Sequence, residues 1–404
     1  MINLRNQGID RKKIFLLIIG ILAAVFVGIW VMESSILVPS LSEENNQIPQ
    51  MMYRMNPQHT GVYDNISGGI RPNGMIKWSF FEPGIVSFYE PVVQDNVVYI
   101  RGDDKIFALD PSTGQKIWET QLAFGSLAIA GDQIYTTAYQ ISDDQVSLYA
   151  LFAENGSIKW HVILGKGEGS DITIADGKIF VGTGIYGESG NKGVWELDAA
   201  SGNLIGQFKT DFDVASAPAV ADNTVYVGSG GWCYAFGENN GSLLWKYQTD
   251  YGSIDTPVVH DGHVYVVGSS VFSLDAATGQ MQWKFTPPET ELGMVLTPAA
   301  TDDLLYVGSK GNILYALNTR DGSVKWLYNA TSGLSSPSVA DGVVYVNSWD
   351  GQLYALDGKS GFLDWNLTIG NNLFGSSVIA NGTVYVIGEP NGSVRPQYGL
   401  YAIK

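Results

Sequence analysis

Cysteine is nearly absent. Cys233 stands alone among 404 residues, so no intramolecular disulfide can form. It sits in Trp-Cys-Tyr-Ala-Phe, a strand-like run, and reads as a buried structural thiol. Histidine is scarce too, limited to His59, His161, His260 and His263. The last two flank a two-residue turn, where a zinc pair is conceivable. That segment fills a turn slot that recurs along the chain, so exposed turn flanks are the expectation. No Gly-x-Ser-x-Gly elbow or phosphate loop occurs in a strand-to-helix context. Asp103-Asp104 and Asp143-Asp144 lack a calcium loop's ligand spacing. Positive charge is short as well: 23 Lys and Arg face 40 Asp and Glu, a net of -17. A chain so acidic lacks the cationic surface that nucleic acid requires. Only 15 prolines accompany 48 glycines, the balance of many tight turns rather than of disorder.

Long apolar runs are missing except for one. Ile14 to Met32 is an unbroken apolar stretch, long enough for a transmembrane helix. Arg11, Lys12 and Lys13 precede it, with Arg5 and Asp10 further out, a net of +3 for this end. The positive-inside rule keeps residues 1–13 cytoplasmic and places the remainder, near -20, outside. A cleaved signal peptide is the rival reading, but no Ala-x-Ala-like site follows Trp30. We therefore expect an uncleaved single-pass anchor at 14–32 and a flexible linker at 33–50. Export would make the sequons at Asn65, Asn155, Asn240, Asn329, Asn366, Asn381 and Asn391 candidates for glycosylation.

What is present is repetition. A glycine, three residues and a tryptophan recur, clearest in the run Ala108 to Trp118, "ALDPSTGQKIW". The glycines fall at Gly74, Gly114, Gly156, Gly202, Gly241, Gly279, Gly322 and Gly361, a period of about forty. One regular copy, Ser335 to Leu367, shows the grammar: a strand of small residues, an Asp-Gly turn, an alternating strand, a third strand, a Ser-Gly turn and a fourth strand. Four antiparallel strands per forty residues make one propeller blade. The third strand recurs eight times, and its last copy, "LYAIK", has no fourth strand after it. Gly74 to Trp78 is a fourth strand with no third before it, so both halves close one blade and hide its edges. The expected fold is all-β: an eight-bladed propeller of four-stranded antiparallel blades over 51–404, preceded by the transmembrane helix. Trp78, Trp118, Trp160, Trp245, Trp283, Trp326 and Trp365 are expected to dock blade on blade. One blade breaks the pattern, with Glu196 in place of Ala and Gly206 in place of Trp.

"ALDPSTGQKIW" resembles the tryptophan-docking motif of the quinoprotein (PQQ-like) propellers, and "MYRMNPQHTGVYD" (52–64) resembles their entry segment. The resemblance covers nearly all of 51–404. One branch of that family is dehydrogenases, which implies a catalytic carboxylate, a calcium held by Glu, Asn and Asp, a stacking tryptophan and often an adjacent cysteine pair. A lone cysteine rules out that pair, and no insertion here is large enough to roof a cofactor. The other branch is non-catalytic, as in the propeller of the bacterial outer-membrane protein assembly machinery, and the closer likeness is to it. No cofactor is therefore expected, neither pyrroloquinoline quinone nor calcium, and no metal.

Antiparallel alternation puts the short turns on one face and the variable connections on the other. The long segments 137–147, 182–193, 285–295 and 388–399 all fall on the second face. Variable loops on a rigid scaffold are where binding resides. Tyr139, Tyr186, Glu188, Trp232, Trp349, Phe374, Arg395 and Tyr398 are the candidate binding residues there. The leading expectation is an extracytoplasmic, membrane-anchored scaffold for envelope or membrane proteins, not an enzyme. The alternatives are a quinone- or calcium-dependent oxidoreductase and a cell-wall carbohydrate binder that stacks sugars on channel aromatics such as Trp349.

Overall fold

The computed structural model describes residues 50–64, 71–122, 125–140, 142–185, 192–250, 255–288, 296–309, 311–390 and 397–404. Among them no helix is long and apolar enough to cross a membrane. The apolar run at 14–32 lies outside the described residues, so the expected anchor does too.

Eight antiparallel sheets follow one another along the chain. Blades 1 to 7 span 92–121, 127–166, 168–209, 219–248, 258–285, 299–329 and 338–368. In blade 8, strands Asn372–Ala380, Thr383–Glu389 and Gly399–Ile403 are completed by Ile76–Phe80 from the other end of the chain. First strands of successive blades approach one another around the channel, and fourth strands lie outermost. The first-to-second turns hold Asp95, Asp176, Asp222, Asp261 and Asp341 at φ between 47° and 50°. Short polar residues tolerate that left-handed backbone, which is why Asp-Gly and Asp-Asn recur there. In the third-to-fourth turns Asn155 and Asn240 accept from Ser157 N and Ser242 N, so these two sequons have a backbone reason.

The repeated glycine and tryptophan belong to different joints. A Cβ on Gly114 would lie 2.6 Å from the indole of Trp78, one blade back. The same holds for Gly156 with Trp118, Gly202 with Trp160, Gly279 with Trp245, Gly322 with Trp283, Gly361 with Trp326 and Gly74 with Trp365. Each indole N–H also donates to a backbone carbonyl of the following blade, as Trp118 does to Ala153 at 3.0 Å and Trp326 to Gly358 at 2.9 Å. A second-strand tyrosine packs beside each tryptophan and reaches the same carbonyl in several blades, as Tyr99 and Tyr306 do.

Blade 3 departs from this together with its neighbour. Glu196 pairs directly with Gly206, the register at which Ala pairs with Trp in other blades. Phe180 stands where the tyrosine would be, so no hydroxyl is offered. In their place Lys178 Nζ lies 2.8 Å from an oxygen of Glu196 and 2.8 Å from one of Glu238 in blade 4. Phe208 fills the apolar part of the seam between Phe180 and Phe236.

Candidate functional site

The channel is closed on its regular-turn side by residues 50–64. Gln50 and Met51 pair with Ala130 and Ile129 of blade 2, so Gln50, placed in the expected linker, belongs to a strand of the ring. The segment then runs round the channel wall. The carbonyls of Pro57, Gln58, Thr60 and Gly61 accept from Val220, Val259, Ala300 and Val339, one first strand each in blades 4 to 7. These strands have no inner neighbour, and the segment satisfies amides that would otherwise be buried unpaired. Arg54, 1% exposed, donates to the carbonyls of Pro337 at 2.6 Å and Pro298 at 2.7 Å. His59 is buried with Nδ1 near the Tyr53 carbonyl and Nε2 near that of Pro218. Burial pushes its pKa down to about 4, outweighing the two carbonyls that favour the charged ring.

Above this plug the channel opens toward the irregular face in a cavity of about 910 Å³. Tyr53 and Tyr63 of the plug line it, with Phe88, Tyr89, Tyr139, Phe374 and Tyr398 among its walls. Phe374 and Tyr398 meet edge to face, ring centres 4.8 Å apart. Of the residues singled out in the sequence, Tyr139, Phe374 and Tyr398 are thus brought together. Trp232 is not among them: it lies in blade 4 beneath Lys246, whose Nζ is 4.8 Å from the ring centre. Trp349, expected as a channel aromatic, instead packs on the backbone of Gly333 at the rim of blade 7, with 43% exposed. Tyr186, Glu188 and Arg395 lie outside the described residues.

The sequence reading missed the acids. One register position on the first strands faces the channel, two residues before the partner of the second-strand aromatic. It carries Glu90, Ser126, Asp171, Ala217, Thr256, Thr297, Ser336 and Ser376 around the ring. Small residues fill six copies; carboxylates fill two, and both border the cavity. The signal was "EPVV" at Glu90, against "APAV", "TPVV" and "SPSV" elsewhere, but it has meaning only once the register is known. Glu90 accepts from Ser376 N at 2.6 Å, yet burial deep in the ring raises its pKa. Asp171 is raised to about 7, first by burial and then by the charge of Glu90. Among the described residues no Lys or Arg makes a salt bridge with either acid. No group of three or more His, Cys, Asp or Glu is placed there to hold a metal. Cys233 is buried and its thiol pushed up, away from reactivity. His260 and His263 are each engaged elsewhere, with Asp302 and Ser273.

A family model described as outer membrane protein assembly factor BamB matches residues 70–210, 190–326 and 268–396. A tetrathionate hydrolase of Acidithiobacillus ferrooxidans is 24% identical over 268 residues, 60% of this chain. The chain spans about half the length of that relative, 48%. Among solved structures, BamB from Moraxella catarrhalis superposes with a TM-score of 0.61 at 16% identity, over 82% of this chain and 100% of that one. A europium-containing methanol dehydrogenase gives 0.69 at 14% identity, over 88% and 98%. At such identities these structures speak for the fold.

Proposed function

Since the chain belongs to the family of outer membrane protein assembly factor BamB, we propose that it is a non-catalytic binding propeller, held at a membrane through residues 14–32 and presenting its irregular face to another envelope protein. The observation that supports this reading is the cavity mouth on that face, where Tyr139, Phe374 and Tyr398 converge. Phe374 is 42% exposed and lies edge-on against Tyr398. Rigid aromatics around a desolvatable depression are the composition of binding hot spots. The repeats supply the frame, and the variable connections supply the contacts.

The oxidoreductase reading fits this channel less well. Pyrroloquinoline quinone is a polycarboxylate, and the void presents Glu90, Asp171 and Glu168. The buried arginines nearby are spent on neutral oxygens: Arg54 on two carbonyls, Arg101 on Thr136 and Leu122. Calcium takes six to eight oxygens, roughly, and among the described residues these carboxylates, Asp171 half-protonated near neutrality, do not form a metal-holding group of three.

A photo-crosslinking residue at Phe374 should trap one defined envelope protein in intact cells. The same residue at Phe362, exposed on the opposite side of the blade pattern, should not. Tyr398→Ala should lower the Phe374 cross-link about tenfold. Equal trapping at both positions would reject the face assignment. Dye reduction on adding the quinone and calcium would reject the non-catalytic reading.

A further inference from the structure

We propose that the cavity binds an alkylammonium group, supplied by a free polyamine or by a lysine side chain, with its charge between Glu90 and Asp171 and its methylenes along Phe88, Tyr89 and Phe374. This deepens the binding reading above and rests on it for the choice of site.

Four features of the cavity point to this chemistry. Its volume, about 910 Å³, is that of a small-molecule site, and its mouth is open to the irregular face. Its acids Glu90 and Asp171, each partly exposed, have no salt-bridge partner among the described residues. Ser376 N and the Arg54 charge relieve Glu90, and Ser126 relieves Asp171, but no described cation pairs with either. Two like charges sharing a poorly solvated space repel, and a cation placed between them removes the repulsion. The walls around them are aromatic, and ring faces attract ammonium groups while covering an aliphatic chain. An anion is excluded by sign. A metal is disfavoured because, among the described residues, no three His, Cys, Asp or Glu are grouped to hold one. An alkylammonium needs only hydrogen-bond acceptors and apolar walls, and both are present.

The proposal carries a proton signature. The groups that bear on Asp171 are Glu90 from blade 1, Ser126 from blade 2 and Asp255 from blade 5. Glu168 on its own strand and Tyr53 and Tyr63 of the plug line the same cavity, and Arg54 and His59 lie beneath it. Near neutrality Asp171 holds a proton for about half the time. A bound cation favours the carboxylate, so binding releases protons, and affinity climbs as pH rises through 7.

Calorimetry on the full chain in detergent tests this with three probes: spermidine, a short lysine-bearing peptide and its lysine-acetylated form. Spermidine, the lysine peptide or both should bind; the acetylated peptide should not. Binding of spermidine alone assigns the group to a free polyamine, and binding of the peptide assigns it to a partner's lysine. Glu90→Gln and Asp171→Asn should each weaken binding at least about tenfold. The wild-type heat should depend on buffer ionisation at pH 7, a readout that requires no variant to fold. Equal binding of the acetylated peptide, unchanged affinity in both variants, or no binding of either amine overturns the inference. If cross-linking at Phe374 survives while no amine binds, only this inference falls. If amines bind and no cross-link forms, the protein-partner reading falls instead.

Discussion

Asp171 and His59 titrate against the fold in opposite directions. Asp171 is raised to about 7, against roughly 3.9 in an unfolded chain. The folded state keeps a proton that the unfolded state gives up. Its contribution is therefore complete below about pH 4 and lost as pH climbs through 7. His59 is lowered to about 4, against roughly 6.5 unfolded. The unfolded chain takes up a proton that the buried ring refuses, so stability is complete above about pH 6.5 and lost as pH falls toward 4. Asp171→Asn should thus raise the melting temperature by a few degrees, roughly, at pH 8 and leave it unchanged at pH 4. Thermal unfolding across that range checks the sign. A uniform offset at all pH values would show that Asp171 does not titrate as its surroundings dictate. Neither residue could be singled out from the sequence. His59 was one of four scattered histidines, and Asp171 lies in a first strand whose register the sequence did not reveal. Their environment is made by blades far apart in the chain.

At the scale of elements, legibility followed locality. The Asp-Gly turns, the alternating second strands and the fourth-strand tryptophans are set by residues within ten or so positions of one another, and the structure has them where the sequence put them. Residues 50–64 have no such local logic. Their partners include one amide in each of blades 4 to 7 and two carbonyls reached by Arg54, 244 and 283 residues away. No periodicity encodes a segment whose hydrogen bonds go to different strands. Its side chains are nonetheless integral. Arg54→Met keeps the length but leaves the carbonyls of Pro298 and Pro337 buried without donors, at a cost of about 2–4 kcal/mol. Gly61→Ala should act through the same contact, because a Cβ there would meet the guanidinium and φ is +66°. Denaturant unfolding of both variants is the measurement. Losses under about 0.5 kcal/mol would mean that the segment is a passenger of the ring. The irregular face divides in the same way. Within segment 137–147, residues 137–140 and 145–147 extend the two strands, with Tyr139 paired to Val146, and this ladder carries Tyr139 to the cavity.

For the whole molecule, a closed ring is as strong as its weakest seam, and seven seams share one design. Blades 3 and 4 meet without the docking indole and the second-strand phenol of the other seams, and Lys178 lies between Glu196 and Glu238 instead. One cation facing two buried carboxylates leaves a charge uncompensated, and such joints gain little over well-packed apolar ones. Hydrogen exchange should therefore show the amides of 193–209 and 219–237 opening first. Repair should need two changes together. Gly206→Trp alone drives the new side chain into Glu196, whose Oε2 already lies 2.9 Å from where a Cβ would sit. Glu196→Ala alone leaves a void and frees Lys178 from one partner. The pair restores the Ala–Trp register of the other blades and gives the Glu238 carbonyl the donor that its counterparts have. The double variant should exceed the wild type by about 1–2 kcal/mol, while each single falls below it, a coupling expected only of residues in direct contact. Uniform exchange across all eight blades, or additive effects of the two changes, would sink the idea that this seam is the place where the ring is meant to yield.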